Sequence, residues 1–139
     1  MKEKRNKIDP GSIQPELKRL LQERAGSGSI ACASLFADVV SAGFSPSEVG
    51  LALDALELRI SHCQLGLFGY QPEKKKVHPL PSVEPQLKQE IERVQQDGRI
   101  ICSDAWAIAQ TCHVPKLHVA CACETLGVRI KSCQLGAFE

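Results

Sequence analysis

Cysteine is the residue type with the most chemistry in this 139-residue chain, and its placement is regular. Cys32 and Cys63 recur as Cys102 and Cys133, seventy positions later. Four thiolates brought together would bind zinc or an iron–sulfur cluster. Each pair is 31 residues apart, however, whereas familiar metal motifs place two ligands within a few residues. Small buried groups at a strand crossing are the simpler reading of all four. Cys112, Cys121 and Cys123 fall in the run TCHVPKLHVACAC with His113 and His118, a metal-like composition. Cys121 and Cys123 are two apart, so on a helix they point in different directions. Nucleophilic pairs can be drawn from Cys112 and His113 or from His62 and Cys63, but adjacent side chains rarely converge and no third orienting group follows. No phosphate-cradling glycine loop and no His-Glu-x-x-His is present. The expectation is a protein that is not an enzyme, with reduced thiols and no resident cofactor, zinc or an iron–sulfur cluster at Cys32, Cys63, Cys102 and Cys133 being the alternative.

The regular spacing has a larger cause. Residues 13–69 align with 83–139 without a gap, and seventeen of the 57 positions are identical. They include Gly28/Gly98, Cys32/Cys102, Arg59/Arg129, Ile60/Ile130 and the complete run Cys-Gln-Leu-Gly at 63–66 and 133–136. The clustering and the single register mark an internal duplication. Cys112, Cys121 and Cys123 stand opposite Ala42, Leu51 and Leu53, which argues that they fill core space. Between the copies lies YQPEKKKVHPLPS (70–82), whose prolines and lysines predict an extended, solvated linker. Residues 1–12 read as a flexible basic tail. Each copy is a small domain that is marginal alone, so packing as a pseudo-symmetric pair is expected.

No apolar stretch reaches the length of a membrane span, and MKEKRNKIDPGS has no apolar h-region, so the expected location is the cytoplasm and no membrane partner is expected.

The elements of one copy follow from its periodicity. PELKRLLQERA (15–25) opens on a proline suited to the first helical turn and keeps Leu17, Leu20 and Leu21 on helical spacing. SIAC (29–32), matched by RIIC (99–102), is short and β-prone. ASLFADVVSAG (33–43) returns to helical spacing and stops at glycine. SPSEVGLALDALEL (45–58) offers Ser45 as N-cap and Pro46 at the first helical position. RISHCQLGLFGY (59–70) has β character. The predicted fold is mainly α with short strands, in the order α-β-α-α-β, twice. The strand before the second helix should pair with the strand after the third, bringing Cys32 towards Cys63.

That order, carried by GSIACASLFADVVSAGFSPSEVGLALDALELRI and GRIICSDAWAIAQTCHVPKLHVACACETLGVRI, resembles a tandem pair of winged-helix domains. AGFSPSEV resembles the turn of a helix-turn-helix. The resemblance implies a regulatory protein that binds DNA, with recognition helices at SPSEVGLALDAL and roughly Pro115–Leu126. Repeat 2 reaches Glu139 just after its strand, so its wing should be truncated or missing.

Charge tests that implication. Repeat 1 has four basic and six acidic residues, net −2, and repeat 2 has six and seven, net −1. The tail and the linker each carry +2. The helix of repeat 1 that would enter a groove holds Glu48 and Asp54 and no lysine or arginine, an unfavourable partner for a polyanion. Repeat 2 supplies Lys116 and His118. Arg59 and Arg129 suit phosphate contact or an ion pair with a helix carboxylate, and the sequence leaves both open. Lys74, Lys75 and Lys76 would add nonspecific affinity. The candidate DNA contacts are therefore Lys116, His118, Arg59, Arg129 and Lys74–Lys76. A protein–protein adapter is the alternative role, and a thiol-based metal or redox sensor the third.

Overall fold

The computed structural model describes residues 8–26, 28–69 and 75–137. The chain is mainly helical with a few short strands. Helix α1 (Pro15–Ala25) starts on Pro15 and buries Leu17, Leu21 and Ala25, a stripe at i, i+4 and i+8 that is one face of a helix. Its counterpart α4 (Pro85–Val94) buries Leu87 and Ile91 in the same way. Each fully buried leucine or isoleucine contributes on the order of 1.5–3 kcal/mol.

Strand β1 (Ser29–Ile30) follows, then a helical stretch that changes its winding: α2 (Cys32–Ser34), a π turn over Leu35–Val39 and a 3-10 turn over Val40–Ala42. Leu35 and Val39 face the core, whereas Ala42 is exposed. Helix α3 (Pro46–Ala55) is capped by the Ser45 hydroxyl, which accepts from the Glu48 N–H at 3.1 Å. Strand β2 (Arg59–Ile60) closes the copy and is shorter than the run from 59 to 70 that β propensity suggested. Past Ile60 the backbone bends through Gly66, at φ 78°.

The second copy repeats the order with β3 (Arg99–Ile101), α5 (Cys102–Cys112), α6 (Lys116–Leu126) and β4 (Arg129–Lys131). Here α5 is a regular α-helix throughout. In both copies the outer strands pair in parallel: Ser29 with Arg59 and Ile30 with Ile60, then Arg99 with Arg129, Ile100 with Ile130 and Ile101 with Lys131. Parallel pairing requires a crossover, and the two helices between the strands supply it. Among the described residues, no helix is long and apolar enough to cross a membrane.

Turn positions show the duplication most directly. Helix α5 ends on His113 in the left-handed region (φ 56°, ψ 44°), where the first copy has Gly43 at φ 112°. Glu57, at φ 58°, stands where the second copy has Gly127 at φ 70°. A side chain in this region costs energy that glycine avoids. Glu57→Gly should therefore raise stability by roughly 0.5–1 kcal/mol in urea denaturation, after glycine's greater unfolded-state entropy is deducted. An unchanged or lower midpoint would show that Glu57 contributes something the turn alone does not require.

The compact units do not coincide with the sequence repeats. Among the described residues, unit 1 comprises 8–63 with 134–137, and unit 2 comprises 64–133. The chain changes unit immediately after Cys63 and again after Cys133. Each Gln-Leu-Gly segment therefore belongs to the unit built by the other repeat. Leu65 and Leu135 are buried at 0% and 1% exposure, so both segments are core.

Candidate nucleic-acid interface

In unit 1 the strand pairing continues past Ile30 and Ile60 through two further backbone bonds. The Ser61 N–H donates to the Ile30 carbonyl and the Cys32 N–H to the His62 carbonyl, each at 2.9 Å. Cys32 and Cys63 are both buried, and both are free thiols. In unit 2 Cys102 is buried and Cys133 half-buried, and both are free thiols. Among the described residues, no three His, Cys, Asp or Glu side chains gather so as to hold a metal ion. The four-thiolate reading draws no support from this arrangement. Cys121 and Cys123 are buried in α6, where the equivalent residues of α3 are the half-buried Leu51 and the buried Leu53. Burial pushes the Cys123 thiol up to about 12, so at neutral pH it is protonated and a poor nucleophile or ligand. Cys112 is raised as well, first by loss of solvent and then by Glu90 and Glu84.

Lys116 and His118 sit at the start of α6, and both already have partners. The Lys116 ammonium lies 4.6 Å from the centre of the Trp106 ring, a cation–π contact that ties α6 to α5. His118 Nε2 is 2.9 Å from a carboxylate oxygen of Glu84, the residue that precedes α4. The His118 hydrogen bond holds the Glu84 carboxyl below the ordinary carboxylate value. The first copy has the same tie in a different chemistry: Gln14 Nε2 donates to Glu48 Oε2 at 3.1 Å. Positions 14 and 84, and 48 and 118, are equivalent. What looked like a base-reading histidine occupies the place of a helix-to-helix clasp.

The run expected to be a solvated linker adds to this clasp. Residues 70–74, including Lys74, lie outside the described residues. From 75 onward the chain follows α6. Lys75 reaches Glu124 at 3.7 Å, and the Lys76 N–H donates to the Gly66 carbonyl at 2.7 Å. Val77 is buried, and the Leu80 N–H donates to the Thr125 hydroxyl at 2.6 Å. That hydroxyl in turn donates to the Leu80 carbonyl at 3.0 Å. His118 and Thr125, seven apart, share one face of α6 by their spacing, and Glu124 lies on the flank beside Thr125. The remaining sides are covered too, since Val119 to Cys123 are five consecutive buried residues. A helix that reads bases needs a free face in the major groove, and α6 has its outward face engaged by residues 75–84. In α3, Val49, Gly50, Ala52 and Leu53 are buried and Glu48 is held by Gln14.

Arg59 and Arg129 differ from these. Both are exposed, at equivalent positions in β2 and β4, and among the described residues neither has a carboxylate at ion-pair distance. The ion-pair alternative left open by the sequence is not realised. Sequence reasoning missed Arg99, the register partner of Arg129 on the adjacent strand. The signal was in the repeat alignment, which sets Arg99 opposite Ser29.

Compared with known proteins, the chain matches no family model, no curated protein and no solved structure.

Proposed function

We propose that the chain is a non-enzymatic, cytoplasmic regulatory protein of two winged-helix-like repeats that binds DNA chiefly through its phosphate backbone. The observation that carries this reading is the pair of exposed arginines at equivalent positions. Arg59 and Arg129 keep their identity in two copies that have diverged at most positions, and both are exposed with no carboxylate at ion-pair distance among the described residues. Guanidinium in that state is suited to bidentate contact with phosphate oxygens. Backbone contact also agrees with the engagement of α6, because it does not require that helix to enter a groove.

Mobility-shift titrations of a mixed-sequence duplex at several salt concentrations test the reading. Binding should weaken as salt rises, and Arg59→Ala with Arg129→Ala should reduce the log–log salt slope by about 2, one unit per lost phosphate contact. Salt-independent or undetectable binding would remove the reading. A protein–protein adapter is the second reading. The net negative charge of both repeats favours it, as does the coverage of α6 by residues 75–84.

A further inference from the structure

We propose that the outer face of the β3–β4 ribbon, formed by Arg99, Ile101, Arg129 and Lys131, is a phosphodiester-binding surface that makes unit 2 the principal nucleic-acid contact. This rests on the nucleic-acid reading above and names a site for it. The register sets Arg99 beside Arg129 and Ile101 beside Lys131. Alternation along a strand puts these four on one face and Ile100 and Ile130 on the other. Ile100 is 1% exposed, which fixes the inward face and leaves the four outward.

Two arginines directly opposite one another, on strands about 4.8 Å apart, repel. Neither they nor Lys131 have a carboxylate at ion-pair distance among the described residues. Three cations in one patch without a counter-charge are relieved by an anion, and two parallel guanidinium forks match the oxygens of a phosphate. Ile101, at 36%, is the exposed large apolar side chain among the described residues. Its place between the cations suits the apolar side of a sugar, with phosphates to either side.

The first copy provides the contrast. The equivalent positions are Ser29, Ala31, Arg59 and Ser61, so one cation stands where the second copy has three, and alanine stands where it has isoleucine. Every difference adds charge or apolar surface to unit 2. The core-facing partners Ile30/Ile100 and Ile60/Ile130 are unchanged. Divergence has acted on the outer face alone.

The test returns the ribbon of unit 2 to the residues of the first copy in the full chain: Arg99→Ser, Ile101→Ala and Lys131→Ser, with Arg129 retained. Duplex affinity at low salt should fall by about tenfold or more, and the salt slope by about 2. The reciprocal Ser29→Arg, Ala31→Ile and Ser61→Lys should steepen the slope. If the triple variant unfolds, Arg99→Gln with Lys131→Gln removes the same charges and should flatten the slope equally. Wild-type binding with an unaltered slope in the variants would overturn the ribbon and leave the DNA reading standing. A wild-type chain that binds no duplex would overturn both. Competition by inorganic phosphate as effective as by duplex, or capture by phosphatidylglycerol vesicles without duplex binding, would also overturn the ribbon as a nucleic-acid contact.

Discussion

Leu135→Ala should destabilise the protein by about 2–5 kcal/mol, the usual cost of emptying a fully buried leucine site. Its side chain is 1% exposed, and residues 134–137 are part of unit 1. Hydrogen exchange locates the damage. Amides of α1 and α3 should lose protection while those of α4, α5 and α6 keep theirs, because opening is local to the unit that loses the contact. Leu65→Ala should do the reverse, exposing α4–α6 and sparing α1 and α3, since residues 64–69 are part of unit 2. Were each leucine instead to protect the helices of its own repeat, the exchange of closing segments would be disproved. Equal loss in both units from either substitution would tell against independent opening.

Gly66→Ala carries the second large effect, about 2–5 kcal/mol. Two costs combine. The φ of 78° lies in the left-handed region, where a side chain costs roughly 1–2 kcal/mol. A Cβ there would also lie 2.5 Å from Leu117 Cδ1, 3.3 Å from Lys76 Cβ and 3.7 Å from Val77 Cγ2. Leu117 can turn its methyl aside, but Lys76 Cβ is fixed to a backbone that bonds to the Gly66 carbonyl. Overpacking of this kind costs about 1–3 kcal/mol. Gly127→Ala is the matched control, with φ 70° and nothing within 4 Å of the added carbon. Chemical denaturation of the two variants separates the terms: their difference is the packing cost, and equal losses would show that the neighbours of Gly66 yield freely.

Much of the local structure was legible because its signals are short-range. Pro15, Ser45, Pro46 and the i, i+4 spacing of Leu17 and Leu21 mark helices that form where expected. The strand pairing beside Cys32 and Cys63 followed from element order. Residues 75–82 are mostly exposed and without helix or strand, as composition suggests, but composition averages over side chains and misses the points of attachment. In KKKVHPLPS a single valine is buried and a threonine far along the chain, Thr125, bonds the backbone at Leu80. No local pattern carries that. Lys116 and His118 were singled out by charge, and charge cannot tell a free cation from one lying over Trp106 or paired with Glu84. The alignment of the repeats showed that Gln-Leu-Gly recurs, yet nothing within either copy indicates which unit it completes. That depends on packing between residues distant in sequence.

The membership of residues 134–137 in unit 1 also sets an order of assembly during synthesis. Unit 2 is one continuous stretch, 64–133, and its parts are all present once Cys133 has been made. Unit 1 was begun first, but it waits for Leu135 until every residue of unit 2 has been translated. At ribosomal speeds of about 5–20 residues per second, unit 1 spends several seconds without its closing segment. The unit that is begun first is therefore not complete until the whole of the second has been synthesised.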